Sequence, residues 1–189
     1  MRRTHRAVRL PAVLLTAALA AGCGSSGSSS NGELAPNGSI DTGADATAPA
    51  AVAPSAIPTD ELFKTVLQRY REYHDAYKKA YETNDPTNLP TVAMDPLLSD
   101  VTKDVEATKA KGEIWRFTNT FNPRVYAHSK DSTKVYVIDC VRTLAGYRFS
   151  VATGKRTGTV PGGTFVYRAT IQYDAGTWKV AANVRDGQC

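Results

Sequence analysis

Few side chains in this sequence could do chemistry, and none stands at a spacing that defines a reaction. There are three histidines, His5, His74 and His128, and one acid, Asp139, set in the otherwise apolar residues 135–141. A general base needs a pKa that burial can tune toward neutrality, which makes His74, His128 and Asp139 the candidates. Each also has a plainer role. His74 lies between Tyr73 and Asp75 and reads as a surface residue, His128 sits beside a turn, and Asp139 shares a strand face with Val137 and Val141. No pair of them forms a dyad, so no catalytic residue is assigned.

Other reactive signatures are missing. The sequence has no Gly-x-Ser-x-Gly elbow, phosphate loop, His-Glu-x-x-His or Gly-x-Gly-x-x-Gly, and Gly154, Gly158 and Gly162 read as turn glycines in a polar stretch. The cysteines Cys23, Cys140 and Cys189 and the scattered histidines lack ligand spacing, so neither a metal nor another cofactor is expected. Tyr70, Tyr73, Tyr77 and Tyr81 recur at helical intervals. They could line a pocket, each burying a ring and keeping a hydroxyl, or fill a core. With Asp139 they are the candidate pocket residues.

Residues 1–22 are an export signal: Arg2, Arg3, Arg6 and Arg9 precede an apolar stretch too short to span a bilayer, closed by Ala20-Ala21-Gly22 before Cys23. This ending resembles the lipobox of bacterial lipoproteins, in which the cysteine carries diacylglycerol and becomes the first mature residue. The resemblance implies a chain held on the outer face of the cytoplasmic membrane through lipid on Cys23. An ordinary secretory signal or an N-terminal membrane anchor is the alternative. Removing the signal lowers the formal charge from +5 to +1, which leaves no case for nucleic acid as a partner. The remainder is uneven, at −3 for residues 23–58, −2 for 59–112 and +6 for 113–189.

Residues 23–58 are mostly Gly, Ser, Ala, Pro, Asn and Thr, too poor in apolar side chains to repay their ordering entropy, and read as a flexible tether. The folded domain is expected over residues 59–189. Apolar residues at 62, 63, 66, 67, 70, 73, 77 and 81, with Thr59 as a capping hydroxyl, predict a helix ending near Asn84-Asp85-Pro86. A second helix is expected from about Asp95 to Lys111, stopped by Gly112. The period then falls to two. Strands are predicted around residues 114–117, 125–127 and 134–144, and residues 164–173 and 177–185 form a hairpin about Asp174-Ala175-Gly176. Residues 146–163 read as a loop or edge hairpin. Two helices before about four antiparallel strands make an α+β domain.

If Cys23 carries lipid, Cys140 and Cys189 remain as a pair in an oxidising compartment and are expected to form a disulfide. A buried thiol at Cys140 or a terminal thiol at Cys189 is the alternative.

The helix pair, the segment Val137-Ile138-Asp139-Cys140, and the closing Trp178-Lys179-Val180 and Gly187-Gln188-Cys189 resemble actinobacterial lipoproteins or secreted proteins of the NTF2-like (cystatin-like α+β) type. The resemblance implies helices laid across a curved antiparallel sheet around a pocket, often with dimerisation through the sheet. Such folds serve isomerases, dehydratases, cyclases and binding modules alike. The expectation is a non-enzymatic binding or accessory module of the cell envelope that engages a small apolar ligand or an envelope protein. The alternatives are general base chemistry on a small carbonyl compound, or a structural homodimer.

Overall fold

Every fourth or third residue from Leu62 onward is apolar, and that stripe winds into α1 (Thr59–Thr83), burying Leu62, Val66, Tyr70, Tyr73, Ala80 and Tyr81. The computed structural model describes residues 52–189. The expected signal, Cys23 and residues 23–51 of the tether lie outside them. Thr59 does not cap α1. Pro58 holds the cap position with no side-chain bond, and Asp60 and Glu61 complement the first-turn N–H groups. The helix ends at Asn84, whose φ of 52° is left-handed and tolerable for asparagine. Its Nδ2 donates to the Glu113 carbonyl at 2.8 Å and fastens the helix end to the sheet.

Order begins earlier than residue 59. Pro54–Ala56 form a 3₁₀ turn with Pro54 buried, and Ile57 packs on the core, so the last residues assigned to the tether belong to the fold. The second helix, α2 (Leu97–Ala110), buries Val101, Val105 and Thr108. Gly112, with φ 68°, turns the chain into the sheet. None of the described helices is long and apolar enough to cross a membrane.

Six strands follow: β1 (Glu113–Thr120), β2 (Arg124–His128), β3 (Lys134–Ser150), β4 (Arg156–Thr159), β5 (Gly163–Asp174) and β6 (Thr177–Gln188). The order is β1-β3-β5-β6, with β2 and β4 also paired to β3, all antiparallel. This is the α+β cone, with six strands where about four were expected. The difference lies in residues 146–163. β3 runs on to Ser150 because Tyr147 and Phe149 pair with Arg116 and Ile114, and β4 returns beside it after Gly154 at φ 65°. Residues 92–94 bond to Val180 and cover part of edge strand β6.

Side chains of one sheet face meet the helices in two clusters. Val135 and Val137 of β3, Ile171 of β5 and Val180 of β6 pack against Leu62 and Val66. Tyr81, Leu89, Val101 and Val105 pack with Trp115 and Phe117 of β1. Cys140 and Cys189 are joined with a Cα–Cα distance of 6.1 Å, pinning the chain end beside Thr164, whose carbonyl accepts from the Cys189 N–H.

Candidate functional site: the cavity between helices and sheet

Between the two clusters the packing opens into a cavity of about 310 Å³. Tyr73, His74 and Tyr77 of α1 form its roof, and Leu97 and Val101 of α2 one flank. Trp115, Phe117 and Asn119 point in from β1, where alternation places them on one face. The floor is Val141 and Thr143 of β3, Tyr167 of β5 and Asn183 of β6.

Two register shifts border the cavity, and the second decides which β6 side chain enters it. Thr118 pairs with Ala145 and Asn119 with Thr143, so Leu144 is an extra residue and is left half exposed. Thr170 pairs with Ala182 but Ile171 with Val180, so Ala181 is extra. Regular alternation from Trp178 and Val180 predicts Ala182 and Val184 inside. The bulge reverses the phase, leaving Val184 61% exposed and bringing Asn183 into the cavity.

Three cavity side chains, His74 (Nε2), Asn119 (Oδ1) and Asn183 (Oδ1), have polar atoms sealed from solvent with no hydrogen-bond partner. Native structures rarely leave such atoms unpaired, since each costs about 1 to 3 kcal/mol. Burial pushes the His74 imidazole down to about 4, so it is neutral at ordinary pH. Its ring packs at 4.5 Å from Tyr70, 5.1 Å from Tyr73 and 4.4 Å from Phe121. Burial also pushes the Tyr73 and Tyr77 hydroxyls up, although Asn183 beside Tyr73 works the other way. Both therefore stay protonated and can donate. The cavity thus offers aromatic faces, phenol donors, two primary amides and one neutral imidazole.

The five candidate pocket residues divide. Tyr73 and Tyr77 line the cavity. Tyr81 stacks on Trp115 at 5.2 Å and donates to Asp104 at 2.5 Å, serving as core between α1 and α2. Tyr70 and Asp139 are buried beyond the cavity wall. Asp139 Oδ1 accepts the Asn122 N–H at 2.6 Å, while its Oδ2 and the Tyr70 hydroxyl lie sealed and unbonded. Burial raises the Asp139 pKa, opposed by the Asn122 N–H and the Arg71 charge, and burial near that carboxyl pushes the Tyr70 hydroxyl up. Asp139 holds the β1–β2 connection and does not reach the cavity. His128 is exposed, with Nδ1 2.9 Å from the Ser129 carbonyl and its ring against Phe63. His74, read from sequence as a surface residue, is the one candidate base that lines the cavity.

His74, Trp115, Phe117, Asn119, Tyr167 and Asn183 line the cavity although none is among the pocket residues expected from sequence. His74 lies four residues from Tyr70 and three from Tyr77, so helical spacing already put it on the tyrosine stripe. The adjacent small residues Ala181-Ala182 were the sole hint of the bulge that turns Asn183 inward. Among the described residues no cluster of three or more His, Cys, Asp or Glu could hold a metal ion.

No family model matches the chain, and no curated protein does. Solved structures do resemble it. The intermembrane space region of the chloroplast protein ARC6 superimposes with a TM-score of 0.57 at 16% identity, over 66% of this chain and 96% of that one. A protein of the NTF2-like family from Streptomyces avermitilis gives 0.43 at 13% identity, over 67% and 98%. Kfla4162 from Kribbella flavida gives 0.48 at 15%, over 66% and 91%. The last two superpose too loosely to carry an argument. The first speaks for a shared fold and says nothing of activity.

Proposed function

We infer that this chain is an exported, lipid-anchored binding module whose cavity holds a small, flat, mostly apolar molecule bearing a few polar groups. The observation that supports this reading best is the pairing of aromatic walls with the sealed, unpartnered polar atoms of His74, Asn119 and Asn183. A volume of about 310 Å³ is at the small end of ligand sites, and apolar lining with few convergent polar groups is their usual composition. A ligand edge bearing donors and acceptors would satisfy the amides and the imidazole, while Tyr73, Tyr77 and Trp115 cover its faces.

The lipid anchor rests on Cys23 and the export signal before it. One sample tests both parts. The protein is extracted gently from its own membranes and weighed intact, native and then denatured, with and without reductant. A denatured mass starting at diacylated Cys23, with a bound species in the native state, supports the reading. An unlipidated chain cut elsewhere removes the anchor, and a ligand-free native mass removes the binding module.

His74 favours a second reading, an enzyme using this imidazole as general base on a small carbonyl compound. The ring is neutral and faces the cavity. It lacks a carboxylate to orient it, since Asp139 sits behind the wall and bonds Asn122. Recovery of the bound species chemically unchanged after incubation distinguishes binding from turnover.

A further inference from the structure

The sheet face turned away from the helices is strongly and unevenly charged. Register places Arg116 opposite Tyr147, Arg142 opposite Thr164, Arg156 opposite Phe149 and Lys134 opposite Gln172. Arg124 and Arg168 both pair with Ile138. These positions alternate with the buried Val135, Val137, Asp139 and Val141, so they share the outer face, and all six basic residues are exposed. The acids on this face are already engaged. Asp186 accepts from Arg168 at 2.6 Å, and Asp174 lies 3.8 Å from Lys179. Arg116, Arg124, Lys134, Arg142 and Arg156 have no ion-pair partner among the described residues. Aromatic rings lie between these cations, with Arg116 5.0 Å over Phe149 and Arg156 5.0 Å over Tyr147. Leu144, Tyr126 and Val184 stand 50%, 49% and 61% exposed around them.

The charge selects the occupant. A second copy laid face to face would bring two sets of five like charges together, which repel. An apolar partner would strip water from five unpaired cations with nothing in return. An extended anionic surface neutralises them all, and guanidinium groups stacked on rings suit such a boundary because they are weakly hydrated and keep their donors outward. The helical segment is different, since in residues 59–112 ten acids outnumber eight bases for a formal −2. We propose that the outer sheet face docks flat on the anionic phospholipid headgroups of a membrane, with the helices turned away from it. A lipid on Cys23 would supply the second attachment that stable anchoring needs. The docking itself does not require it.

The test uses residues 24–189, which lack the cysteine that would carry lipid and keep every described helix and strand and the disulfide. Its partition is measured by cosedimentation with vesicles of phosphatidylcholine alone and of equal parts phosphatidylcholine and phosphatidylglycerol. Each basic residue near such a surface raises the partition roughly fivefold. Binding only to the anionic vesicles is expected, lost in about 1 M salt where the Debye length is about 3 Å. Substituting Arg124→Glu, Arg142→Glu and Arg156→Glu together should lower the partition on the order of 100-fold. The same change of net charge on the helices, Lys64→Glu, Lys79→Glu and Lys103→Glu, should leave it nearly unchanged. An unaltered disulfide and thermal midpoint show that both variants fold. The proposal is overturned by equal binding to both vesicle types, by equal loss in the two triple variants, by binding a soluble anionic polymer but not vesicles, or by dimers that the sheet-face substitutions dissolve.

Discussion

The inner face of the sheet has two halves, filled at one end and open at the other. At the filled end Val135, Val137, Ile171 and Val180 are each 0% exposed and alternate without interruption along their local register. At the open end Val141, Thr143, Tyr167 and Asn183 face the cavity. Both halves lie under the same helices, so helix position alone does not explain the difference. It lies in the register: the bulges at Leu144 and Ala181 border the open half and reset which side chains point inward. Regular alternation delivers the β-branched side chains that close-pack at the filled end, whereas the bulge at Ala181 delivers the Asn183 amide, which cannot.

If the open half lacks packing, something else must hold it. The disulfide joins β3 to the chain end at that half, closing a separation of 49 residues, worth about 4 kcal/mol in the chain-entropy model. Replacing Cys140 and Cys189 by alanine should therefore give the largest loss, about 3 to 4 kcal/mol in a denaturant titration. Hydrogen exchange should show it concentrated at the C-terminal end of β6. Uniform loss of protection across both halves would break the comparison.

A single residue type probes packing at both ends. Val137 and Val141 lie two pleat repeats apart on the inner face of β3 and are 0% and 5% exposed. Val137→Ala should cost about 3 kcal/mol, the lost methyl transfer plus a new cavity, whereas Val141→Ala enlarges a space already present and should cost about 1.5 kcal/mol. Equal losses would show that the open half is packed as tightly as the other.

The pH dependence of stability sharpens the same contrast. His74 at the open half titrates near 4 in the folded chain and near 6.5 unfolded. Between these values the unfolded state binds more protons, so stability falls as pH drops from 6.5 toward 4, by about 3 kcal/mol. His74→Gln should flatten that slope. Asp139 runs the other way. Its folded pKa is raised, so its contribution is full below the unfolded carboxylate value and is lost as pH rises through the folded one. Asp139→Asn should remove that second trend while an amide oxygen still accepts the Asn122 N–H.

How much of this was legible follows from where chain geometry is local. The stripe of α1, the stop at Asn84 and the β5–β6 turn with Ala175 at φ 44° and Gly176 at φ 88° follow from spacing and turn chemistry within a few residues. The length of β3 was not visible, because Tyr147 and Phe149 are strand residues only by virtue of partners in β1 and β4. The pocket was half visible. Tyr73 and Tyr77 follow from helical period, but Asn183 enters through a bulge that pairing with β5 creates, and strand period alone puts it outside. Asp139 is expected in the pocket from its place in an apolar strand, but its partner is the Asn122 N–H in the β1–β2 connection, and strand alternation does not reveal that contact.

The smallest stability effect is the most telling about function. Asn183 has a sealed, unbonded oxygen in the cavity wall, so Asn183→Leu removes an unsatisfied polar atom and replaces it with a side chain of similar size. Such changes are neutral or stabilising, and a gain of up to about 1 kcal/mol is expected in the ligand-free chain. The loss should appear in binding. The native mass of the variant recovered from its own membranes should carry at least tenfold less of the bound species. A residue kept at a cost to stability and needed for the ligand is the signature of a site shaped for use. If Asn183→Leu instead destabilises the fold by more than about 1 kcal/mol and leaves the ligand in place, the amide belongs to the architecture of β6. The open half would then be open through imperfect packing alone.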